Sequence, residues 1–122
     1  MLKLMIVDDS EVIREKIQMV TDGQDVQFVG DASNGLEAVK QFRELKPDVI
    51  TLDITMPVMD GIDTIKRIVE IDPDVRILVV SALADKATLI QAMTLGATGY
   101  LCKPFSDVEL EDALYELIED LL

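Results

Sequence analysis

The chain has 122 residues, 49% of them hydrophobic, and its 11 Lys and Arg against 24 Asp and Glu leave a net charge of −13. That is enough apolar material for the core of one domain spanning 1–122 and argues against disorder, while the acidity excludes direct binding to nucleic acid or to an anionic membrane surface. Histidine is absent and cysteine occurs once, which removes His-based triads, His-ligated zinc, a phosphohistidine carrier role and any internal disulfide.

In chain order, Leu2–Val7 is an apolar run that reads as a first strand and ends at Asp8-Asp9. It carries no secretory pattern and no run approaches the ~18 apolar residues of a membrane span, so a cytoplasmic location is expected. Ser10 can cap a helix that turns Ile13, Ile17 and Val20 inward. Val26–Asp31 is the second strand. Asn34, with Glu37 three residues on, opens a second helix with Leu36, Val39, Phe42 and Leu45 on its apolar side, closed before Pro47. Val49–Leu52 is the third strand and runs into Asp53. Pro57 and Asp60-Gly61 shape the loop that follows, with a positive φ expected at Gly61, and Met56 and Met59 pack within it. Gly61 precedes a third helix carrying Ile62, Ile65, Ile68 and Val69, which ends before Pro73.

The fourth strand, Ile77–Val80, leads to Ser81-Ala82. Asp85 can cap a fourth helix that runs through Leu89, Ile90 and Met93 to a stop at Gly96. Gly99–Cys102 is the fifth strand, with Cys102 as a small apolar residue, and Lys103-Pro104 follows. Ser106 and Glu109 form a capping box for a fifth helix. Its Leu110, Ala113, Leu114, Leu117, Ile118 and Leu121 follow helical spacing, and Glu111, Asp112, Glu116, Glu119 and Asp120 form a solvated face. Most of the strands are near-continuous apolar runs, which suits burial on both faces of a parallel sheet. Alternation of strand and helix with short connections then gives a (βα)₅ open sheet with helices on both sides. These patterns leave the strand order open.

Ligands of such sheets bind beyond the carboxyl ends of the strands. Those ends carry Asp8, Asp9 and Asp53, the Ser81 hydroxyl and the Lys103 ammonium. Two unpaired carboxylates about 5 Å apart repel by roughly 3 kcal/mol at an effective dielectric near 20, so three of them need a counter-charge. Lys103 supplies one positive charge and a divalent cation two. An all-oxygen donor set favours Mg²⁺ or Mn²⁺ over zinc. The plainer alternative is that Asp8 and Asp9 merely cap the first helix.

The motifs Ile6-Val7-Asp8-Asp9-Ser10, Lys46-Pro47-Asp48-Val49-Ile50, Leu52-Asp53, Met56-Pro57-Val58-Met59-Asp60-Gly61, Ser81-Ala82, Gly96-Ala97, Gly99-Tyr100 and Lys103-Pro104-Phe105 stand in the order and at the spacing of a receiver domain. Over essentially its whole length the chain resembles the receivers of two-component response regulators. The resemblance implies a flavodoxin-like strand order, 2-1-3-4-5. It implies Asp53 as phosphoacceptor from a histidine kinase. Asp9 and Asp53 are then direct Mg²⁺ ligands, Asp8 a ligand through water and the Thr55 backbone carbonyl a further one. Lys103 and Ser81 should bind the phosphoryl oxygens, Tyr100 is the switch aromatic, and the Lys103–Pro104 peptide is cis.

Such a protein is a signalling switch that catalyses its own phosphorylation and dephosphorylation. Its face of fourth helix, fifth strand and fifth helix meets the partner, as a monomer or as a dimer on phosphorylation. Asp53-Ile54-Thr55-Met56-Pro57 and Ser81-Ala82 look like stand-alone chemotaxis regulators of the CheY type, whose target is the flagellar motor switch. The alternative within the family is the receiver of a larger, for example transcriptional, regulator with an attached output domain. Thr55 and Leu83 lie where the family tunes dephosphorylation. A haloacid-dehalogenase-type phosphatase also uses an Asp nucleophile with Mg²⁺, but there it ends the first strand, whereas Asp53 ends the third. A flavodoxin-type carrier would place its phosphate loop where Asp8-Asp9 repel phosphate. A pseudo-receiver would not need the whole set of Asp8, Asp9, Asp53, Ser81 and Lys103.

Overall fold

A computed structural model describes residues 1–55, 59–82 and 86–122. Met56, Pro57, Leu83 and the cap expected at Asp85 lie outside the described residues. Five strands alternate with five helices: β1 (Leu2–Val7), α1 (Glu11–Thr21), β2 (Val26–Ala32), α2 (Gly35–Leu45), β3 (Val49–Leu52), α3 (Gly61–Ile71), β4 (Arg76–Ser81), α4 (Lys86–Leu95), β5 (Gly99–Cys102) and α5 (Asp107–Ile118). A short 3₁₀ turn, Glu119–Leu121, follows. All strand pairs are parallel, in the order β2-β1-β3-β4-β5.

The helices begin where short polar side chains can take up orphan amides. Ser10 Oγ accepts from Ile13 N at 3.3 Å and Asn34 Oδ1 accepts from Glu37 N at 2.9 Å. At α5 the box is reciprocal: Ser106 Oγ accepts from Glu109 N, and Glu109 Oε1 accepts from Ser106 N, both at 3.1 Å. The cap of α3 is Asp60, whose Oδ1 accepts from Asp63 N at 2.9 Å. Gly61 is therefore the first helical residue.

The unbroken apolar runs of β1, β3 and β4 work because period-two alternation feeds two cores. Met5, Val7, Ile50, Leu52, Ile77 and Val79 pack with Ala38, Phe42, Ile65, Ile68 and Ala92 on the α2–α3–α4 side. Leu4, Ile6, Val49, Leu78 and Val80 pack with Ile17, Leu110, Leu114 and Leu117 on the α1–α5 side. No helix among the described residues is long and apolar enough to cross a membrane.

Several side chains depart from the sequence reading. Leu36 is 60% exposed while Ala38 is fully buried, because six residues at 100° each turn Leu36 about 120° away from Phe42. On α4 the buried contact is Ala92, leaving Ile90 and Met93 exposed. The helix α5 gives way to the 3₁₀ turn after Ile118, which leaves Leu121 exposed. Cys102 is exposed, since β5 is an edge strand. Arg76 at the start of β4 serves the end of α5: its Nη1 donates to Leu117 O at 2.9 Å, and its fork pairs with Asp120 at 2.8 Å through both nitrogens.

The expected positive φ at Gly61 is not found. The positive-φ glycines are Gly23 and Gly96, the latter at +126° just past α4. Gly61 is required for close approach instead: a Cβ there would overlap Ile54 Cα and lie 2.6 Å from Ile54 Cβ, and Gly61 N donates to Ile54 O at 3.3 Å. Gly61→Ala should therefore lower the unfolding free energy by about 1–3 kcal/mol. Urea denaturation checks this, and an unchanged midpoint would remove the packing account of Gly61.

Candidate functional site

Parallel strands that end together deliver their last side chains to one edge. Asp8 follows β1, Asp53 follows β3, Ser81 ends β4 and Lys103 follows β5. Adjacent strands are tied there by Asp53 N donating to Val7 O at 3.0 Å and Lys103 N donating to Ser81 O at 3.0 Å. The sheet thus brings together residues separated by up to 95 positions.

Asp8 and Asp53 are 1% and 2% exposed. The Lys103 ammonium donates to Asp8 Oδ2 at 2.7 Å and to Asp53 Oδ2 at 3.2 Å. Asp8 Oδ1 accepts from Ser10 N at 2.9 Å. Asp9 is exposed, yet one ligand oxygen from each of Asp8, Asp9 and Asp53 lies within 4.8 Å of the others. Burial raises the Asp8 carboxyl above its ordinary 3.8, working against the Lys103 ammonium and the Ser10 amide, which favour the charged form. For Lys103 burial disfavours the ammonium, but hydrogen bonds and charge from Asp8 and Asp53 outweigh it and hold its pKa above 10.5. The ammonium is therefore kept charged between two carboxylates.

An all-oxygen set with two buried members suits a hard divalent cation. Among the described residues this is the one group of three such side chains close enough to hold a metal. Both Asp53 oxygens are engaged. Oδ1 accepts from Thr55 N at 2.9 Å and from Thr55 Oγ1 at 2.7 Å, while Oδ2 faces Lys103. Ser81 is fully buried at the end of β4 and Ala82 beside it is exposed. The Lys103–Pro104 peptide is cis. Tyr100 stands apart from this cluster, half-buried against the α2–α3–α4 core.

Two contributors escaped the sequence reading. One is the Thr55 hydroxyl, which donates to Asp53, where the sequence points only to the Thr55 carbonyl. Arg14 donates from Nη1 to Asp8 O at 2.6 Å and from Nε to Asp31 at 3.0 Å, bracing the chain at the acidic pair against β2. Its one signal is a cation a single helical turn past the Ser10 cap. A groove of about 250 Å³ beside the cluster is lined by Ile13, Lys16, Ala82, Lys103, Pro104 and Phe105. A larger one, about 900 Å³, lies away from the carboxylates between α1 and β2.

The family model of the response regulator receiver domain matches residues 4–115. A chemotaxis protein CheY of Listeria monocytogenes is 41% identical over 93% of this chain and 96% of its own. A protein-glutamate methylesterase/protein-glutamine glutaminase of Methanospirillum hungatei is 45% identical over 85% of this chain, which there spans 31% of the relative. Among solved structures, the CheX–CheY–BeF₃–Mg complex of Borrelia burgdorferi superposes with a TM-score of 0.91 at 28% identity, covering 96% of this chain and 89% of that one.

Removing the ammonium should expose the repulsion it offsets. Lys103→Met is expected to cost about 2 kcal/mol near neutral pH, after allowance for the partial exposure of Lys103. The deficit should shrink in acid as one carboxylate protonates. Urea melts at about pH 7 and about pH 4.5 test this, and an equal deficit at both would show that charge is not its source.

Proposed function

The chain belongs to the response regulator receiver family, and on that premise we propose that residues 1–122 act as one CheY-type receiver that takes a phosphoryl group onto Asp53. The observation that carries this reading is the buried Asp53 carboxylate, with the Lys103 ammonium 3.2 Å from one oxygen and ligand oxygens of Asp8 and Asp9 within 4.8 Å. The donor is a phosphohistidine of a histidine kinase, since this chain contains no histidine.

An Asp53 oxygen attacks phosphorus in line. The new P–O bond forms as the P–N bond to the donor imidazole breaks, and its electron pair returns to the ring nitrogen. The nucleophile is held beforehand by Thr55, whose amide and hydroxyl fix Oδ1. Lys103, paired with carboxylate oxygens at the outset, re-pairs with the phosphoryl oxygens and neutralises charge as it develops. Ser81 donates its hydroxyl to one of them. The groove beside Lys103 and Pro104 gives the donor protein access.

Asp8, Asp9, Asp53 and the Thr55 carbonyl would hold Mg²⁺, with Mn²⁺ able to replace it. When bound, the ion supplies two further positive charges to the phosphoryl group. Asp8 and Arg14 contribute by fixing the loop that carries Asp9. The chain catalyses its own phosphorylation and dephosphorylation and otherwise works as a cytoplasmic switch.

The output is a population shift. Drawing Ser81 toward the phosphoryl group opens space beside β4, and Tyr100 fills it by turning inward. Moving the equilibrium from 1:99 to 99:1 takes about 5.5 kcal/mol of differential stabilisation, which a few charge-assisted hydrogen bonds supply. The altered α4–β5–α5 face then binds its target. The likeness to stand-alone CheY proteins along nearly their full length supports a chemotaxis role, with the flagellar motor switch as target.

Incubation with acetyl phosphate and Mg²⁺ should place one phosphoryl group on the peptide containing Asp53, read by mass spectrometry, and Asp53→Asn should abolish it. Comparable labelling of that variant at another residue would overturn the assignment. Proton NMR of the Tyr100 ring should change when beryllofluoride and Mg²⁺ are added, and an unchanged ring environment would end its role as the switch.

A further inference from the structure

Asp9 is exposed, so the direction of its carboxylate rests on the backbone that carries it. The peptide joining Asp8 to Asp9 is planar, and fixing the Asp8 carbonyl therefore fixes the plane from which the Asp9 Cα departs. Three contacts bear on this stretch. Asp8 N donates to Ala32 O at 3.1 Å, Ser10 N donates to Asp8 Oδ1 at 2.9 Å, and Arg14 Nη1 donates to Asp8 O at 2.6 Å. The first belongs to the sheet and the second to the turn into α1. The third needs a long side chain, and helix formation does not ask for it, since a cation near a helix N-terminus is disfavoured.

Arg14 is itself gripped. Its Nε pairs with Asp31 Oδ2 at 3.0 Å, with 17% of the Arg14 side chain exposed against 48% for Asp31. Ala32 packs into the α2–α3–α4 core, so strand alternation turns Asp31 to the α1 side. An exposed ion pair alone would stabilise little, but here the guanidinium is mostly buried and its other arm is engaged with main chain. The planar fork serves both acceptors at once, which an ammonium on a flexible stem does not reproduce. Asp31 has a second effect. It offsets the guanidinium charge, so that Arg14 can stand beside the three carboxylates with less repulsion of the dication they attract.

Resting on the reading of Asp8, Asp9 and Asp53 as the Mg²⁺ site, we propose that Arg14, held by Asp31, is a positioning residue for that site. Its grip on the Asp8 carbonyl sets the direction of Asp9 and, through it, the affinity for the dication. The strand β2, which sends no ligand to the site, thereby acts on it through Asp31.

The test measures Mn²⁺ binding to the full chain from the free-ion electron paramagnetic resonance signal, with Mg²⁺ as competitor and no phosphoryl donor present. Arg14→Gln removes a positive charge beside the site. Charge alone would make this variant bind tighter, whereas loss of position is expected to weaken it about tenfold. Arg14→Lys keeps the charge and loses the fork; it should bind several-fold more weakly, where charge alone predicts no change. Arg43→Gln, the same change of charge at the end of α2, should leave affinity as it was. At saturating Mg²⁺ the labelling of Asp53 in Arg14→Lys by acetyl phosphate should return to the wild-type rate, which places the defect in metal affinity and not in the transfer step. Should Arg14→Gln lose its urea transition, Arg14→Lys carries the test. Wild-type affinity in Arg14→Lys, tighter binding by a folded Arg14→Gln, or a labelling rate that stays low at saturation would each overturn the inference and leave the metal site standing. A wild-type chain from which Mg²⁺ displaces no Mn²⁺ would remove the metal site itself, and the inference with it.

Discussion

One ammonium set between two buried carboxylates organises the carboxyl edge of the sheet. Lys103 reaches Asp8 and Asp53, so the exits of β5, β1 and β3 are held by a single charge. Left to themselves, two carboxylates so deeply buried would repel each other or take up protons. With Lys103 present they stay close enough, together with Asp9, to present oxygens to a dication. The same three charges are thereby part of what holds the walls of the site in register. Under the proposed phosphoryl transfer to Asp53, this balance would be disturbed, since Lys103 is already engaged with both carboxylates.

The two cores explain how such a densely charged edge is tolerated. Each of β1, β3 and β4 sends alternate side chains into separate apolar layers, so the strands are fixed from both sides below the point where the charges gather. Close approaches complete the frame. Gly61 lies against Ile54 immediately after Asp53, and Arg14 links α1, the Asp8 carbonyl and β2. The loop carrying Asp53 is anchored by packing at one end and by the sheet at the other.

Much of this was legible in the sequence because the signals are local. Ser10, Asn34 and the Ser106–Glu109 pair announce helix starts through their own side chains, and apolar runs too continuous for a one-sided sheet announce burial on both faces. The carboxyl-end rule then gathers Asp8, Asp9, Asp53, Ser81 and Lys103 without any coordinates. What stayed hidden depends on distance between segments or on fine rotation. The break in register between Leu4 and Met5 where β1 pairs with β2 has no composition signal. Leu36 is set by angular drift along α2, and Gly61 by the approach of Ile54 rather than by its own dihedral. The hold of Thr55 on Asp53 needs the loop geometry, since nothing in the spacing of the two residues turns the Thr55 hydroxyl toward the carboxylate.

Arg76 joins the far end of α5 to the first residue of β4, through the Leu117 carbonyl and both oxygens of Asp120. The near end of the same helix begins at Ser106, three residues after Lys103. One end is thus pinned at the amino edge of the sheet and the other is coupled to the loop that leaves the charged cluster. Displacement of that loop would swing α5 about a fixed pivot instead of sliding it, so that a small shift beside Lys103 becomes a change of tilt, largest in the first turn of the helix and vanishing toward its last.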